Sequence, residues 1–182
     1  VNKLIRHFDC LAGRRIGLLG LAFKPGTDDL RDSPALGVAE RLLARGAEVI
    51  AYDPLVSSVS HVPGLTVVGD PYEVAADADA VVLATDWPDF LLLDLVKLRA
   101  RMRGNVFLDG RNVFDHHMMD AAGFHYEPVG RPKAGTAIEL DGVPEIRQHA
   151  APANSRHLDA LTRQRPPSKL RALAGRSDVD GT

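Results

Sequence analysis

The chain has 182 residues, 45% of them hydrophobic and 25% charged, which is the composition of a soluble globular protein with room for one ordinary domain and an extension. Lys and Arg number 22 against 24 Asp and Glu, so the formal charge of −2 supplies no global basic field to hold nucleic acid. Apolar runs such as VVLAT and FLLLDL fall far short of the roughly 20 residues that cross a bilayer, so no membrane partner is expected.

The N-terminal stretch VNKLIRHFDCLAGRR has no apolar core of the secretory type. Its Cys10 is the single cysteine of the chain, unable to form an internal disulfide or a thiolate cluster, which fits a reducing cytoplasm. From there strands and helices alternate. RRIGLLGLA (14–22) is a strand-length apolar run ending in glycine and a loop. SPALGVAERLLARG (33–46) is a helix with its punctuation in place: Ser33 to cap, Pro34 at the first helical position, Gly46 at the left-handed stop. AEVIAYD (47–53), LTVVG (65–69) and DAVVLAT (79–85) read as the next three strands. Between the last two, Asp70-Pro71 opens a short helix, with Glu73 where a capping-box partner would sit. LDLVKLRARM (93–102) is helical, NVFLDG (105–110) a strand, FDHHMMDAAG (114–123) a helix closed by Gly123, and FHYEPVG (124–130) a final strand.

Strands that are apolar almost throughout, separated by helices, require a parallel sheet covered on both faces. Right-handed crossovers then make a Rossmann-like, doubly wound α/β sheet of about five to six strands the expected fold for residues 13–130. Residues 131–182 differ: all ten aromatic residues precede position 127, and the charge changes from 13 basic and 18 acidic side chains before 131 to 9 and 6 after. Such a segment buries too little apolar area to offset its ordering entropy, so a mostly disordered C-terminal tail is expected, with a short helix possible at 155–164.

Ligands of doubly wound sheets sit at the carboxyl ends of the strands, which selects the loops to inspect. The first, 20–33, is not a dinucleotide fingerprint, because Gly17-x-x-Gly20 lacks the G-x-G-x-x-G spacing. It offers instead the ammonium of Lys24, the guanidinium of Arg31 and the start of a helix, all suited to phosphate, and the flat apolar face of Phe23, of the kind that borders a sugar or base. The alternative is that Lys24 and Arg31 merely pair with Asp28, Asp29 and Asp32. At the end of the fifth strand, Asp109-Gly110-Arg111-Asn112 places Arg111 as a phosphate clamp, or as a structural partner of Asp109 or Asp115. Asp53 ends the second strand where a ribose-binding acid could sit; a turn-forming Asp-Pro is the better reading without the glycine fingerprint. The adjacent His116 and His117 diverge by about 100° on a helix, the other histidines are scattered, and no metal site is expected.

The segments GLLGLAFKPGTDDLRDSPAL, AEVIAYDP, ADAVVLATDWPDF and VFLDGRNVFD together resemble the C-terminal, UDP-binding domain of UDP-glucose 6-dehydrogenases, within the UDP-glucose/GDP-mannose dehydrogenase family. The likeness covers about residues 13–130, with AYDP and DGRN pointing to the UDP-glucose branch. Residues 1–12 then look like the end of the helix that connects to the rest of such an enzyme. In this family an N-terminal Rossmann domain holds NAD, a central helical region carries a catalytic cysteine, and the third part covers the UDP-sugar. The resemblance implies that Phe23, Lys24 and Arg111 contact the UDP-sugar and that Arg31 reaches towards NAD. It implies no catalytic residue here: the glycine fingerprint and the segment around the nucleophilic cysteine have no counterpart in these residues, and Cys10 lies in the wrong place. Two readings follow. The chain is the UDP-sugar-binding domain of an NAD-dependent UDP-glucose 6-dehydrogenase, inactive without the N-terminal and central domains, or it is a stand-alone nucleotide-sugar-binding module. UDP-glucose and UDP-glucuronate are the expected ligands.

Overall fold

The computed structural model describes residues 1–130; the segment 131–182, with the expected tail and the helix at 155–164, lies outside the described residues. Six strands form one sheet: β1 (Arg15–Leu19), β2 (Glu48–Tyr52), β3 (Leu65–Val67), β4 (Ala80–Leu83), β5 (Val106–Asp109) and β6 (His125–Pro128). Their order is β3-β2-β1-β4-β5-β6, and every neighbouring pair is parallel. This is the doubly wound arrangement expected from the sequence. β1 lies at the centre, with the chain winding outward first to β2 and β3 and then to β4, β5 and β6, so the crevice opens beside the carboxyl ends of β1 and β4.

Strands β1, β2, β4 and β5 are buried on both faces over most of their length, and the two-residue period of a strand divides their side chains between two cores. Ile16, Leu18, Val49, Val82, Val106 and Leu108 face one side, under helices α1 (Asn2–Phe8) and α2 (Pro34–Leu43), which contribute Leu4, Leu36, Ala39 and Leu42. Leu19, Val81, Leu83 and Phe107 face the other, under α3 (Leu95–Ala100) and α4 (His116–Ala121). There the ring of Phe107 meets Phe114 and Phe124 edge-on, with centroids 5.5 and 5.3 Å apart.

Local chemistry sets the element ends. Ser33 caps α2 through the N–H of Ala35 at 3.2 Å, with Pro34 in the first turn, as expected from the sequence. Asp94 and Asp115 cap α3 and α4 in the same way. The helix expected after Asp70-Pro71 is a single 3-10 turn, Glu73–Ala75, without a side-chain cap. Asp70 satisfies the chain there itself by accepting the N–H of Tyr72 at 2.7 Å, which closes a turn instead of starting an α-helix. A second 3-10 turn, Pro88–Leu92, precedes α3.

At the opposite end of the sheet from the crevice, the buried carboxylate of Asp79 accepts the backbone N–H of Arg15 at 2.9 Å and meets the guanidinium groups of Arg103 and Arg14. Burial pushes this carboxyl up, but the hydrogen bonds from Arg103, the Arg15 amide and Arg14 outweigh it and hold the group below the ordinary Asp value. None of the helices of the described residues is long and apolar enough to cross a membrane.

Candidate functional site

The crevice is built by the loops that follow β1, β2, β4 and β5, and their positions are set by two buried carboxylates. Asp53, at the end of β2, is 4% exposed. Its Oδ2 accepts the N–H groups of Leu21 and Ala22 at 2.8 and 3.0 Å and the indole N–H of Trp87 at 3.1 Å. Its Oδ1 accepts the N–H of Leu55 at 3.0 Å, the turn expected of Asp-Pro. One side chain therefore fastens the loops after β1, β2 and β4 to one another.

The carbonyls of the same two residues are held as firmly. Ser33 Oγ donates to the Leu21 carbonyl at 2.6 Å, and Thr85 Oγ1 donates to the Ala22 carbonyl at 2.8 Å. Both backbone polar groups of Leu21 and of Ala22 thus end on buried side chains, which satisfies them away from water and fixes the point from which the loop departs. Gly20, just before, has φ +91°, and a Cβ there would lie 2.5 Å from Thr85 Cβ, so a side chain is excluded by conformation and by space.

Phe23 and Lys24 follow this fixed pair. The Phe23 N–H donates to the Asp29 carbonyl at 2.9 Å, which folds the loop back on itself. Phe23 is 48% exposed, the one exposed Phe, Tyr or Trp among the described residues. Lys24 is exposed and, among the described residues, makes no ion pair, whereas Arg31 is held by Asp29 through contacts of 2.7 to 3.2 Å. Local pairing, the alternative for both cations, is therefore realised for Arg31 alone. That pairing draws the Asp29 carboxyl down to about 2, chiefly through the Arg31 side-chain hydrogen bonds.

The second carboxylate, Asp109, ends β5 and is fully buried. Its Oδ1 accepts the N–H groups of Arg111 and Asn112, and its Oδ2 those of Val113 and Phe114, at 2.7 to 3.1 Å. The Tyr126 hydroxyl donates to Oδ2 as well, at 2.8 Å. Asp109 thereby wraps the loop after β5 around itself and sets the position of Arg111. The ion pairs of Arg111 with Asp109 or Asp115 considered from the sequence are not formed. Its Nε donates instead to the Ala84 carbonyl at 2.7 Å and lies 3.6 Å from Asp86. Ala84 adjoins Thr85, the residue that holds Ala22, so one short loop joins the support of Arg111 to the support of Phe23.

Arg111 lines a cavity of about 230 Å³ at the carboxyl ends of β4 and β5, walled by Leu4, Ala35, Val38, Leu83 and Leu108. Phe23, Lys24 and Arg31 do not line it; they stand on the loop after β1. Sequence reasoning located these four residues, but not Thr85 and Trp87, nor the part that Asp53, Asp109 and Ser33 play in placing them. From the sequence Asp53 reads as a turn-forming Asp-Pro or a ribose-binding acid at a strand end, and Asp109 as a partner for Arg111, neither as the acceptor for a whole loop.

Residues 17–116 match the family model described as the UDP-glucose/GDP-mannose dehydrogenase family, UDP binding domain. A UDP-glucose 6-dehydrogenase of Rhizobium meliloti is 42% identical over 124 residues, 67% of this chain and 28% of that protein. One from Pseudomonas aeruginosa is 43% identical over 131 residues, 68% of this chain and 29% of that protein. The solved structure of a UDP-glucose dehydrogenase from Pyrobaculum islandicum superimposes with a TM-score of 0.56 at 38% identity, covering 69% of this chain and 27% of that one. The chain therefore spans less than a third of the length of each of these three relatives.

Proposed function

The chain belongs to the UDP-glucose/GDP-mannose dehydrogenase family, whose UDP-binding domain it contains, and from that premise we propose that it holds UDP-glucose for oxidation to UDP-glucuronate by NAD. Phe23 offers its exposed ring to the sugar or base, while Lys24 and Arg111 meet the negative charge of the diphosphate. Arg31 extends towards the cofactor once it leaves Asp29. The observation that carries this reading is the pinned Leu21-Ala22 pair: buried side chains hold the backbone directly ahead of an exposed Phe-Lys, as preorganised recognition requires.

NAD supplies hydride acceptance in this chemistry. The crevice here does not fit it as a primary site, because Asp53, in the position of a ribose acceptor, already spends its carboxylate on four N–H donors. In our reading the main NAD contacts and the nucleophilic cysteine lie in the N-terminal and central domains of the family, and these 182 residues alone turn over no substrate. The single cysteine supports a cytoplasmic setting.

Thermal melts of the full chain with UDP-glucose, UDP and uridine test the assignment. UDP-glucose and UDP are expected to raise the melting temperature well beyond uridine, since both cations address the diphosphate. Equal shifts with UDP and uridine would show that the cations serve only the local fold.

A further inference from the structure

A second cluster of chemistry-bearing side chains lies at the β6 edge of the sheet, apart from the crevice loops. Lys3, Arg6 and His7 of α1 and His125 and Glu127 of β6 line a surface hollow there. His7, His125 and Glu127 each present one donor atom, and these atoms all lie within 4.8 Å of one another. His125 Nε2 is 3.2 Å from Glu127 Oε1, and the His7 and His125 rings lie 5.1 Å apart, tilted by 37°. We propose that these three residues form a binding site for a borderline transition-metal dication, Zn²⁺ in particular, with solvent completing the coordination.

Two imidazoles and a carboxylate are a ligand set that Zn²⁺ takes in open four-coordinate sites. Metal–ligand bonds of 2.0–2.2 Å in tetrahedral geometry put donor atoms about 3.3 Å apart. The His125–Glu127 pair already has that spacing, and the His7 donor atom lies within 4.8 Å of both. The backbone makes the grouping persistent. Residues i and i+2 of a strand share a face, so His125 and Glu127 are side by side by construction. His7 arrives on a helix anchored by Leu4, 1% exposed, and by Lys3 Nζ donating to the Pro128 carbonyl at 2.7 Å.

The donor types, not the charges around the site, set its selectivity. Lys3 lies 3.5 Å from Glu127 Oε2, and Arg6 borders the same hollow. Their positive charge opposes every dication alike, whereas two imidazoles and one carboxylate favour Zn²⁺ over Mg²⁺ and Ca²⁺, which take mainly oxygen ligands. The bond would join residues 118 positions apart (125 − 7), fastening the first helix to the edge strand and closing a long loop.

Untagged full chain, stripped with chelator, is melted with increasing Zn²⁺ and separately with Mg²⁺, and its visible spectrum is recorded with Co²⁺. Expected are a saturable rise in melting temperature with one Zn²⁺ per chain, little response to Mg²⁺, and the intense visible bands of low-coordinate Co²⁺. His7→Gln and His125→Gln are each expected to weaken Zn²⁺ binding about tenfold or more. No rise with Zn²⁺ in the unaltered chain would overturn the site. So would Zn²⁺ affinity and Co²⁺ bands left unchanged in His7→Gln, an exposed position where folding is retained.

Discussion

The indole N–H of Trp87 donates 3.1 Å to the buried carboxylate of Asp53, joining residues from the loop after β4 and the end of β2. Two backbone amides of the loop after β1 share the same carboxylate oxygen. No cation pairs with Asp53 among the described residues; N–H dipoles alone satisfy its charge. Such a centre is strong when complete and damaging when broken, because each buried donor that loses its acceptor bears the full desolvation penalty.

Asp53→Ala is therefore expected to destabilise the chain by about 3 kcal/mol or more, and Trp87→Phe by roughly 1.5–3 kcal/mol, the range for a hydrogen bond to a charged group. Urea unfolding followed by circular dichroism measures both. A double-mutant cycle should show strong coupling between the two positions. Additive losses would mean that Trp87 stabilises by packing alone.

Asp109 gives a second, separable case. Tyr126→Phe removes one of its five donors and is expected to reduce stability by about 1.5–3 kcal/mol while leaving the loop after β5 in place. Asp109→Ala releases that loop and should weaken UDP binding as well, since Arg111 loses its fixed origin. If Asp109→Ala melts early but binds UDP with undiminished affinity, Arg111 is not positioned by this carboxylate.

The strand pattern made the fold legible because the central strands are apolar almost throughout and α2 has local start and stop signals in Ser33, Pro34 and Gly46. Where local signals compete, reading failed: Glu73 looked like a capping-box residue, but Asp70 closes a turn on Tyr72 first. The 3-10 turn at Pro88–Leu92 carries too few residues to show a period. Phe23, Lys24, Arg31 and Arg111 stood out as motif residues on loops. Their supports did not, because Asp53 meets Leu21 and Trp87 only once the sheet order has placed β2, β1 and β4 side by side. His7 and Glu127 are hidden for the same reason, since only the sheet edge brings them together.

For the ligand itself, Lys24→Ala and Arg111→Ala are each expected to weaken UDP affinity by roughly 1.5–3 kcal/mol, as read by calorimetry. Asp86 adds a control of opposite sign. Its carboxylate lies 3.6 Å from Arg111 and repels an incoming diphosphate, so Asp86→Asn should tighten UDP binding, by less than about 1 kcal/mol at this exposed position. Weaker binding in Asp86→Asn would show that its charge orients Arg111 for the ligand and does more than repel anions.

The last test concerns Asp29 and Arg31. The Arg31 side-chain hydrogen bonds, followed by its backbone N–H, draw the Asp29 carboxyl from 3.8 down to about 2. A carboxyl whose pKa is depressed by folding stabilises the folded state fully above its unfolded value, and that contribution is lost as pH falls through the folded value. The window is therefore about pH 4 to pH 2, and the pair stays intact throughout the neutral range. Carbon-detected NMR of the Asp29 carboxyl should titrate near pH 2, and in Arg31→Gln the midpoint should return towards 3.8. At neutral pH an anionic partner of Arg31 must then displace a fully ionised carboxylate, which biases Arg31 to stay folded back on its own loop until a strong anion arrives. Asp29→Asn removes that competitor without removing the guanidinium, so it should raise Arg31's availability to anions and increase the salt dependence of their binding. A wild-type midpoint close to 3.8 would contradict this, because Arg31 would then move to an incoming anion without first breaking a pair.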